Sequence, residues 1–316
     1  MRLPPAAGLT SCLDTIMPID RCLRLAACAA LMSAPIAAQA IVPLDAKSTF
    51  VHVASESPPG AVPLALTPLG LQAGDCVRLR LVGDFDQGPS ADTVGDMWGV
   101  FSADATLLAG SQLHRVPGAI DAGAELVTPA TFFGGQPTDV PEDFGIVSAA
   151  EGYEEVTVEV PAGAQFLFVA PADSYYSDNS DPDGDFGVEI THVGCWKDLG
   201  LGLAGVNGVP LLAGTGTLLA GDALTLALSD ARPLASAVLI LGLSAANLPF
   251  KGGTLVPAPQ VLIAGLPTDG AGALVLPGTW PAGLPSGFTL WLQMWIADAA
   301  GPHGFSASNG LSASPP

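Results

Sequence analysis

Glycine and proline interrupt this chain so often that a long helix has little room to form. The 316 residues include 38 Gly and 29 Pro, and both residues destabilise helix interiors while favouring turns. Short runs between these breaks alternate apolar and polar residues, as at Val77, Leu79 and Leu81 with Arg78 and Arg80 between them. Alternation with period two places such side chains on opposite faces of a β-strand. The sequence therefore predicts an all-β fold.

Acidic residues divide the chain into two parts. Residues 41–198 hold 24 of the 30 Asp and Glu residues, and only four follow them. The change lies beside a Gly-rich stretch at residues 199–208, and a chain of 316 residues is longer than one hydrophobic core usually serves. Strand patterns separated by turns occur on both sides. We expect two β-sandwich domains in tandem, an acidic one over residues 41–198 and an immunoglobulin-like one over residues 199–316.

The N-terminus has the pattern of a bacterial export signal. Arg21 and Arg24 precede an apolar run at residues 25–36 that is too short to span a bilayer, and residues 38–40 (Ala-Gln-Ala) fit the rule for cleavage. This pattern predicts a signal peptide over residues 1–40 and a mature chain that is secreted, periplasmic or on the cell surface. No later segment approaches the roughly 20 apolar residues of a membrane span.

Export would leave two cysteines, Cys76 and Cys195. Two cysteines in an oxidising compartment often pair, so one interpretation is a disulfide and the other is two buried free thiols. Neither cysteine belongs to a CxxC motif or lies near paired histidines, which argues against a zinc site. Cys28 ends a motif similar to a lipid-attachment site, but too little apolar sequence precedes it for lipidation to be expected.

Charge and motifs exclude several classes of function. The formal charge of −20 repels phosphate groups, so we expect no nucleic-acid or anionic-membrane partner, whereas divalent cations and neutral ligands suit this field. Gly-x-Ser-x-Gly is absent, and no histidine has a motif partner. Glu154 and Glu155 are adjacent, so on a strand they face opposite sides and cannot act as a glycosidase pair. We expect a protein without catalytic activity.

Two tryptophans lie on one face of a predicted strand near the C-terminus. Trp291 and Trp295, with Gln293 between them, alternate with apolar residues. Such a pair could stack on sugar rings, but it more often closes the open edge of a core. We expect the second arrangement here.

The highest density of oxygen ligands is in residues 173–185, which we call the Asp loop. Five carboxylates and one Asn lie within these 13 residues (DSYYSDNSDPDGD), between two strand patterns. Calcium takes six to eight oxygen ligands of these types, but Asp, Asn and Gly also favour solvated turns, and both interpretations stay open. An EF-hand is excluded, because in that register Ile190 replaces the bidentate Glu.

The Asp loop and an upstream segment resemble parts of a known family. Residues 168–180 (FVAPADSYYSDNS), followed by a strand, are similar to the calcium loop of the bacterial galactophilic lectins. Residues 74–83 (GDCVRLRLVG) and the following Gly-Pro at 88–89 match the family's Gly-Asp, strand and Gly-Pro loop. Those lectins are small β-sandwiches whose bound Ca²⁺ coordinates sugar hydroxyls. Here Asp181-Pro-Asp183 is inserted where the lectins pass directly from Asn-Ser to Gly.

The resemblance implies a set of calcium ligands and some sugar contacts. Its implied metal site comprises the backbone carbonyl of Gln87, the side chains of Asp173, Asp178 and Asn179, and Tyr176 in the slot between them. The family's sugar-selecting loop has no clear counterpart, and its nearest candidates are His114 and Gln136, with Asp173 beside the ion.

These observations lead to two expected functions. The first is a calcium-binding module that binds carbohydrate, such as cell-surface or extracellular glycans, or that mediates adhesion. The alternative is a structural protein of an envelope or extracellular matrix, in which calcium only rigidifies a loop. Both functions need the same Asp loop, so the sequence alone does not separate them.

Overall fold

The computed structural model describes residues 39–53, 56–88, 90–93, 96–123, 132–133, 136–137, 140–147, 152, 154–173, 175–285 and 287–316. All but the last two residues of the predicted signal peptide lie outside these ranges. Regular structure in the described residues is almost entirely antiparallel strand, which confirms the all-β prediction. The only helical turns described are two 3₁₀ turns, Thr67–Leu69 and Pro302–Gly304. No described helix is long and apolar enough to cross a membrane.

The chain divides into two compact units, with the division between Gly194 and Cys195. Strand β14 (Cys195–Gly200) pairs with the last strand, β24 (Gly310–Ser314), and so belongs to the second unit. The boundary expected after Asp198 therefore falls inside a strand, four residues beyond the division of the structure.

The first unit is a β-sandwich. Its strands are β1 (Gln39–Pro43), β2 (Leu64–Ala65), β3 (Cys76–Val82), β4 (Phe85–Gln87), β5 (Ser90–Thr93), β6 (Met97–Ser102), β7 (Ala119–Ile120), β8 (Phe132–Phe133), β9 (Gln136–Pro137), β10 (Phe144–Val147), β11 (Glu155–Glu159), β12 (Phe166–Pro171) and β13 (Gly187–Val193). One sheet has the order β1-β13-β3-β11. The other has the order β10-β6-β12-β2, with β7 paired to β6. Strands β4 and β5 form a separate two-stranded sheet, as do β8 and β9.

The main core of this unit lies between its two larger sheets. Because β3 alternates, Val77 and Leu79 enter the core while Arg78 and Arg80 lie on the opposite face, as the sequence predicts. The facing sheet contributes larger side chains, among them Met97, Phe101, Phe144, Ile146, Leu167 and Val169.

The five-stranded sheet also buries its outer face. Val100, Phe168 and Ala170 point into a second cluster, where they contact residues that lie outside the sheets. We call residues 44–61 the N-terminal segment. It supplies Phe50, Val51, Val53 and Ala61 to this cluster, and the Asp loop supplies Tyr176. Strand β12 is therefore apolar on both faces and carries the continuous apolar run that precedes the Asp loop.

The outer face of the four-stranded sheet carries an ion-pair network centred on Glu189. Arg80 Nη2 lies 2.6 Å from Glu189 Oε2, Arg78 Nη2 lies 3.5 Å from Oε1, and the Thr191 hydroxyl donates to Oε1 at 3.2 Å. The hydrogen bond from Arg80 lowers the pKa of Glu189, although burial opposes this effect. The same contact raises the pKa of Arg80.

The second unit is also built from packed sheets. Besides β14 and β24 its strands are β15 (Leu211–Thr215), β16 (Ala223–Ser229), β17 (Ser236–Gly242), β18 (Ala245–Phe250), β19 (Gly253–Pro257), β20 (Val261–Pro267), β21 (Leu274–Thr279), β22 (Leu290–Ala297) and β23 (Phe305–Ala307). A sheet of order β14-β24-β22-β17-β20, with β23 paired to β22, packs on the three-stranded sheet β15-β16-β21 through a Leu-rich core.

The tryptophan stripe of β22 closes a second, smaller core in this unit. Trp295 is buried with Ile240, Leu255 and Ala307. Gln293 is buried as well, and its amide accepts hydrogen bonds from Val256 N at 3.0 Å and Trp295 Nε1 at 3.0 Å. The expected structural role is confirmed for Trp295.

Cys76 and Cys195 are both disulfide-bonded, and they are the only cysteines in the described residues. Val193 pairs with Cys76 across β13 and β3, so Cys195 follows two residues after the position opposite Cys76. The structure therefore contains the disulfide, and these cysteines are not free thiols. It closes a loop that contains most of the first unit.

Removing the disulfide should lower the free energy of unfolding. A bridge across a loop of about 120 residues stabilises by roughly 4–5 kcal/mol in the chain-entropy description. We expect a loss of this order in the Cys76→Ala/Cys195→Ala double variant, measured by urea denaturation. Dithiothreitol should destabilise the wild type similarly and leave the variant unchanged. Equal stability of wild type and variant would contradict the prediction.

The Glu189 network should make stability depend on pH. A carboxyl group whose pKa is lowered by folding stabilises the protein above its ordinary value of 4.5, and this contribution is lost as the pH falls through the folded-state pKa. Glu189→Gln should therefore lower the free energy of unfolding by about 1 kcal/mol at pH 7, because Arg80 is half-exposed. The difference should fade at pH 3. Glu155→Gln is the control, since Glu155 is exposed and 3.8 Å from Arg78 Nε. A difference that persists at pH 3 would refute this account.

Candidate metal centre

Tyr176 anchors the Asp loop to the first unit. Its side chain is fully buried in the second cluster. The hydroxyl donates to the Pro171 carbonyl at 2.9 Å and accepts from Thr49 Oγ1 at 3.1 Å. Burial raises the pKa of Tyr176 to about 12, so the phenol stays neutral. Its ring is a core side chain, and its hydroxyl is hydrogen-bonded to protein groups.

The N-terminal segment holds the middle of the Asp loop by polar contacts. The Glu56 carboxylate accepts hydrogen bonds from the backbone amides of Tyr176 and Ser177, the second at 3.0 Å. Lys47 Nζ donates to the Ser177 carbonyl at 3.3 Å. Glu56 is not predictable from the sequence, because it lies 120 residues from Tyr176 and has no local motif.

Asn179 has a buried oxygen atom that receives no hydrogen bond from the part of the chain that the structure describes. The residue is fully buried, and its Nδ2 donates to the Ala46 carbonyl at 2.9 Å. That contact fixes the amide orientation, because a flipped amide would place two oxygens together. Oδ1 is then buried with no hydrogen-bond donor among the described residues. Buried polar atoms normally have a partner, and a cation would supply one.

The structure brings Asp178 next to the end of β4. Asp86 of β4 and Ser180 form a bridge, with Asp86 N donating to Ser180 O at 2.7 Å and Ser180 N to Asp86 O at 3.0 Å. The next turn contains Gly88, at φ 62°. A Cβ built on Gly88 would lie 2.9 Å from Asp178 Oδ2, so the backbone that follows Gln87 runs directly past this carboxylate.

Asp173 lies at the start of the Asp loop, beside both tyrosines. Its Oδ1 accepts from Tyr175 N at 3.3 Å, and its own N–H donates to the Tyr176 hydroxyl at 3.4 Å. Its Oδ2 is buried. The described contacts of Asp173 therefore involve the tyrosines, whereas Asp178 faces Gly88.

Three other aspartates of the Asp loop form a separate cluster. The carboxylates of Asp181, Asp183 and Asp185 place one oxygen each within 4.8 Å of one another. Repulsion from Asp185 raises the pKa of Asp183. Backbone amides satisfy part of the cluster: Gly184 N donates to Asp181 at 3.0 Å and Asp84 N to Asp185 at 3.1 Å. Asp183 and Asp185 are exposed, and an exposed acidic group needs no ion.

The two candidates for sugar contact, His114 and Gln136, have no described contact with the Asp loop. His114 is exposed in a turn at φ 52° and forms no hydrogen bond or ion pair with a described residue. The adjacent Arg115 anchors this turn, donating to the carbonyls of Thr49 and Val51 at 3.1 and 2.7 Å. Gln136 is in β9, and its side chain lies outside the description. Neither residue is joined to the Asp loop by a described contact.

No protein-family model matches the chain, and a search of curated proteins finds no match. The assignment of the site therefore depends on the contacts of the Asp loop itself.

The Glu56 contact should protect two amides from solvent exchange. Hydrogen bonds to a charged acceptor contribute about 1.5–3 kcal/mol, so Glu56→Gln should speed hydrogen exchange at Tyr176 and Ser177 by roughly tenfold or more. Exchange would be followed by NMR or mass spectrometry. Glu154→Gln, at an exposed position, is the control and should change neither amide. Unaltered exchange in Glu56→Gln would show that the contact does not hold the Asp loop.

Proposed function

We propose that this protein is an exported calcium-binding module that binds carbohydrate or mediates adhesion and has no catalytic role. The observation that carries the calcium proposal is the buried Asn179 Oδ1, an acceptor to which no described residue donates, in a loop rich in carboxylates. Export rests on the signal pattern of residues 1–40.

The donor set fits calcium. Asn179 Oδ1 and the carboxylates of Asp178 and Asp173 are hard oxygen ligands. Gln87, which would add its backbone carbonyl, ends β4 directly before the turn at Gly88 that runs past Asp178. Tyr176 can contribute only its main chain, because its phenol is bonded within the core. Carboxylate, amide and carbonyl oxygens are the usual calcium ligands.

The charge of the first unit favours a cation. Residues 41–194 contain 23 acidic residues and four basic ones, Lys47, Arg78, Arg80 and Arg115. The described contacts of these four go to Ser177 O, Glu189 and main-chain carbonyls, as well as Glu155. None of these contacts reaches Asp178 or Asn179. A divalent ion would reduce the repulsion among the carboxylates of the Asp loop.

Carbohydrate is the ligand suggested by the resemblance to the galactophilic lectins, in which calcium coordinates sugar hydroxyls. A neutral sugar also suits an acidic surface that repels anions. Calcium would fix the position of the sugar hydroxyls, and side chains around the ion would select among sugars.

A structural role for calcium is the second candidate, and one observation favours it. Asn179 and Tyr176 are both fully buried, so an ion held by Asn179 could be enclosed by protein. In that case calcium would join the N-terminal segment, the Asp loop and β4 without touching a ligand. The two functions differ in one property, since only the first requires the ion for sugar binding.

Calcium should raise the melting temperature of the protein. A ligand that binds only the folded state stabilises it by about 2.7 kcal/mol at a hundredfold excess over Kd, which corresponds to a rise of several degrees. Asp178→Asn should abolish the rise, because it removes one ligand charge. Asp183→Asn, in the separate exposed cluster, is the matched control and should retain it. Differential scanning calorimetry with and without chelator measures both.

Two other outcomes would contradict calcium binding or its assignment to Asp178. An unchanged melting curve in calcium would leave the Asp loop as a solvated turn and would refute the proposal. If Asp183→Asn alone abolished the rise, the ion would belong to Asp181, Asp183 and Asp185, and the assignment to Asp178 would be wrong.

A further inference from the structure

Calcium binding does not explain why Tyr175, in the Asp loop, is exposed. Its side chain is 48% exposed, whereas that of the next residue, Tyr176, is fully buried. The other large apolar residues exposed in the described part of the first unit are Ile41, Val62 and Leu113, so Tyr175 is the aromatic one among them. Its ring and its hydroxyl make no ring contact or hydrogen bond with another described residue. The ring therefore faces solvent.

Hydrogen bonds hold the backbone amides from Tyr175 to Ser177. Tyr175 N donates to Asp173 Oδ1 at 3.3 Å, and the amides of the next two residues donate to Glu56. The buried ring of Tyr176 holds the Asp loop immediately after Tyr175. Tyr175 thus projects from an anchored stretch of chain, adjacent to a proposed calcium ligand.

We propose that the Tyr175 ring is a stacking platform for the apolar C–H face of a neutral pyranose. This inference rests on the proposed carbohydrate function, and it assigns a ligand-contacting residue to that site. Tyrosine supplies a large, amphipathic contact area at a small entropy cost, because it has only two side-chain torsions. Hydrogen bonds already hold the backbone at Tyr175, so binding costs little backbone entropy.

The ligand is a neutral sugar, for two reasons. The first unit carries 23 acidic residues against four basic ones within residues 41–194, so its field repels carboxylated and sulfated saccharides. A pyranose also matches both parts of the proposed site. Its hydroxyls would bind calcium, and its patch of C–H groups would pack on the aromatic ring.

The test is a glycan array probed with the full mature chain, with and without chelator. The array should carry neutral galactosides, glucosides and mannosides beside sialylated glycans. Three variants are compared with the wild type: Tyr175→Ala removes the ring, Tyr175→Phe keeps it, and Leu113→Ala removes an exposed apolar side chain elsewhere in the unit. The calcium-induced rise in melting temperature is measured for each variant, so that folding and ion binding are read separately from sugar binding.

We expect the wild type to bind neutral glycans in calcium and to lose them with chelator. Tyr175→Phe and Leu113→Ala should bind as the wild type does. Tyr175→Ala should bind about tenfold more weakly, since a well-packed aromatic contact contributes up to about 1.5 kcal/mol. All three variants should keep the calcium-induced rise.

Several results would overturn the inference. If Tyr175→Ala bound glycans as strongly as the wild type, the platform would be wrong and the proposed function would stand. If Tyr175→Ala lost the calcium-induced rise, the residue would act on the metal loop instead of the sugar. Binding of sialylated glycans alone would refute the neutral ligand. If the wild type bound no glycan while calcium still raised its melting temperature, both the platform and the carbohydrate function would fail, and the structural role would replace them.

Discussion

The five-stranded sheet of the first unit is apolar on both faces, and the rest of the site depends on how its outer face is covered. Phe168 and Ala170 point away from the main core and would meet water if the sheet had one buried side. Each large side chain buried there contributes roughly 1.5–3 kcal/mol. The N-terminal segment and Tyr176 provide the cover. Burial of Tyr176 in turn fixes where the neighbouring aspartates and Asn179 lie.

Polar contacts then fix the conformation of the Asp loop. Backbone amides, and not basic side chains, satisfy many of the carboxylates: Glu56 accepts from Tyr176 and Ser177, and Asp181 from Gly184. Amide donors orient carboxylates without neutralising their charge. Negative charge is therefore concentrated at one edge of an already acidic unit, and Asn179 Oδ1 is buried there with no hydrogen-bond donor among the described residues. A cation would offset this negative charge and give Asn179 Oδ1 a partner. We therefore expect ion binding and folding of this edge to be coupled.

Local patterns in the sequence predicted the fold well, and contacts between distant segments escaped them. The alternation of Val77 and Leu79 with Arg78 predicted a strand, and β3 is that strand, because alternation is a local property of the chain. The contacts of Glu56 and of Ala46 with the Asp loop join positions more than 100 residues apart and have no local signal. The division between the units was expected at the change in composition. It lies earlier, because β14 pairs with the last strand of the chain. Sequence spacing also could not show that Asp181, Asp183 and Asp185 cluster apart from Asp178.

The central claim is that the Asp loop binds calcium at Asn179 and Asp178. The most direct measurement is a crystal structure of the protein grown in calcium, with the ion located by its anomalous scattering. This account predicts an ion in contact with Asn179 Oδ1 and the Asp178 carboxylate, at the 2.3–2.6 Å typical of calcium ligands. A well-ordered loop with no ion at Asn179, or an ion held only by Asp181, Asp183 and Asp185, would contradict it.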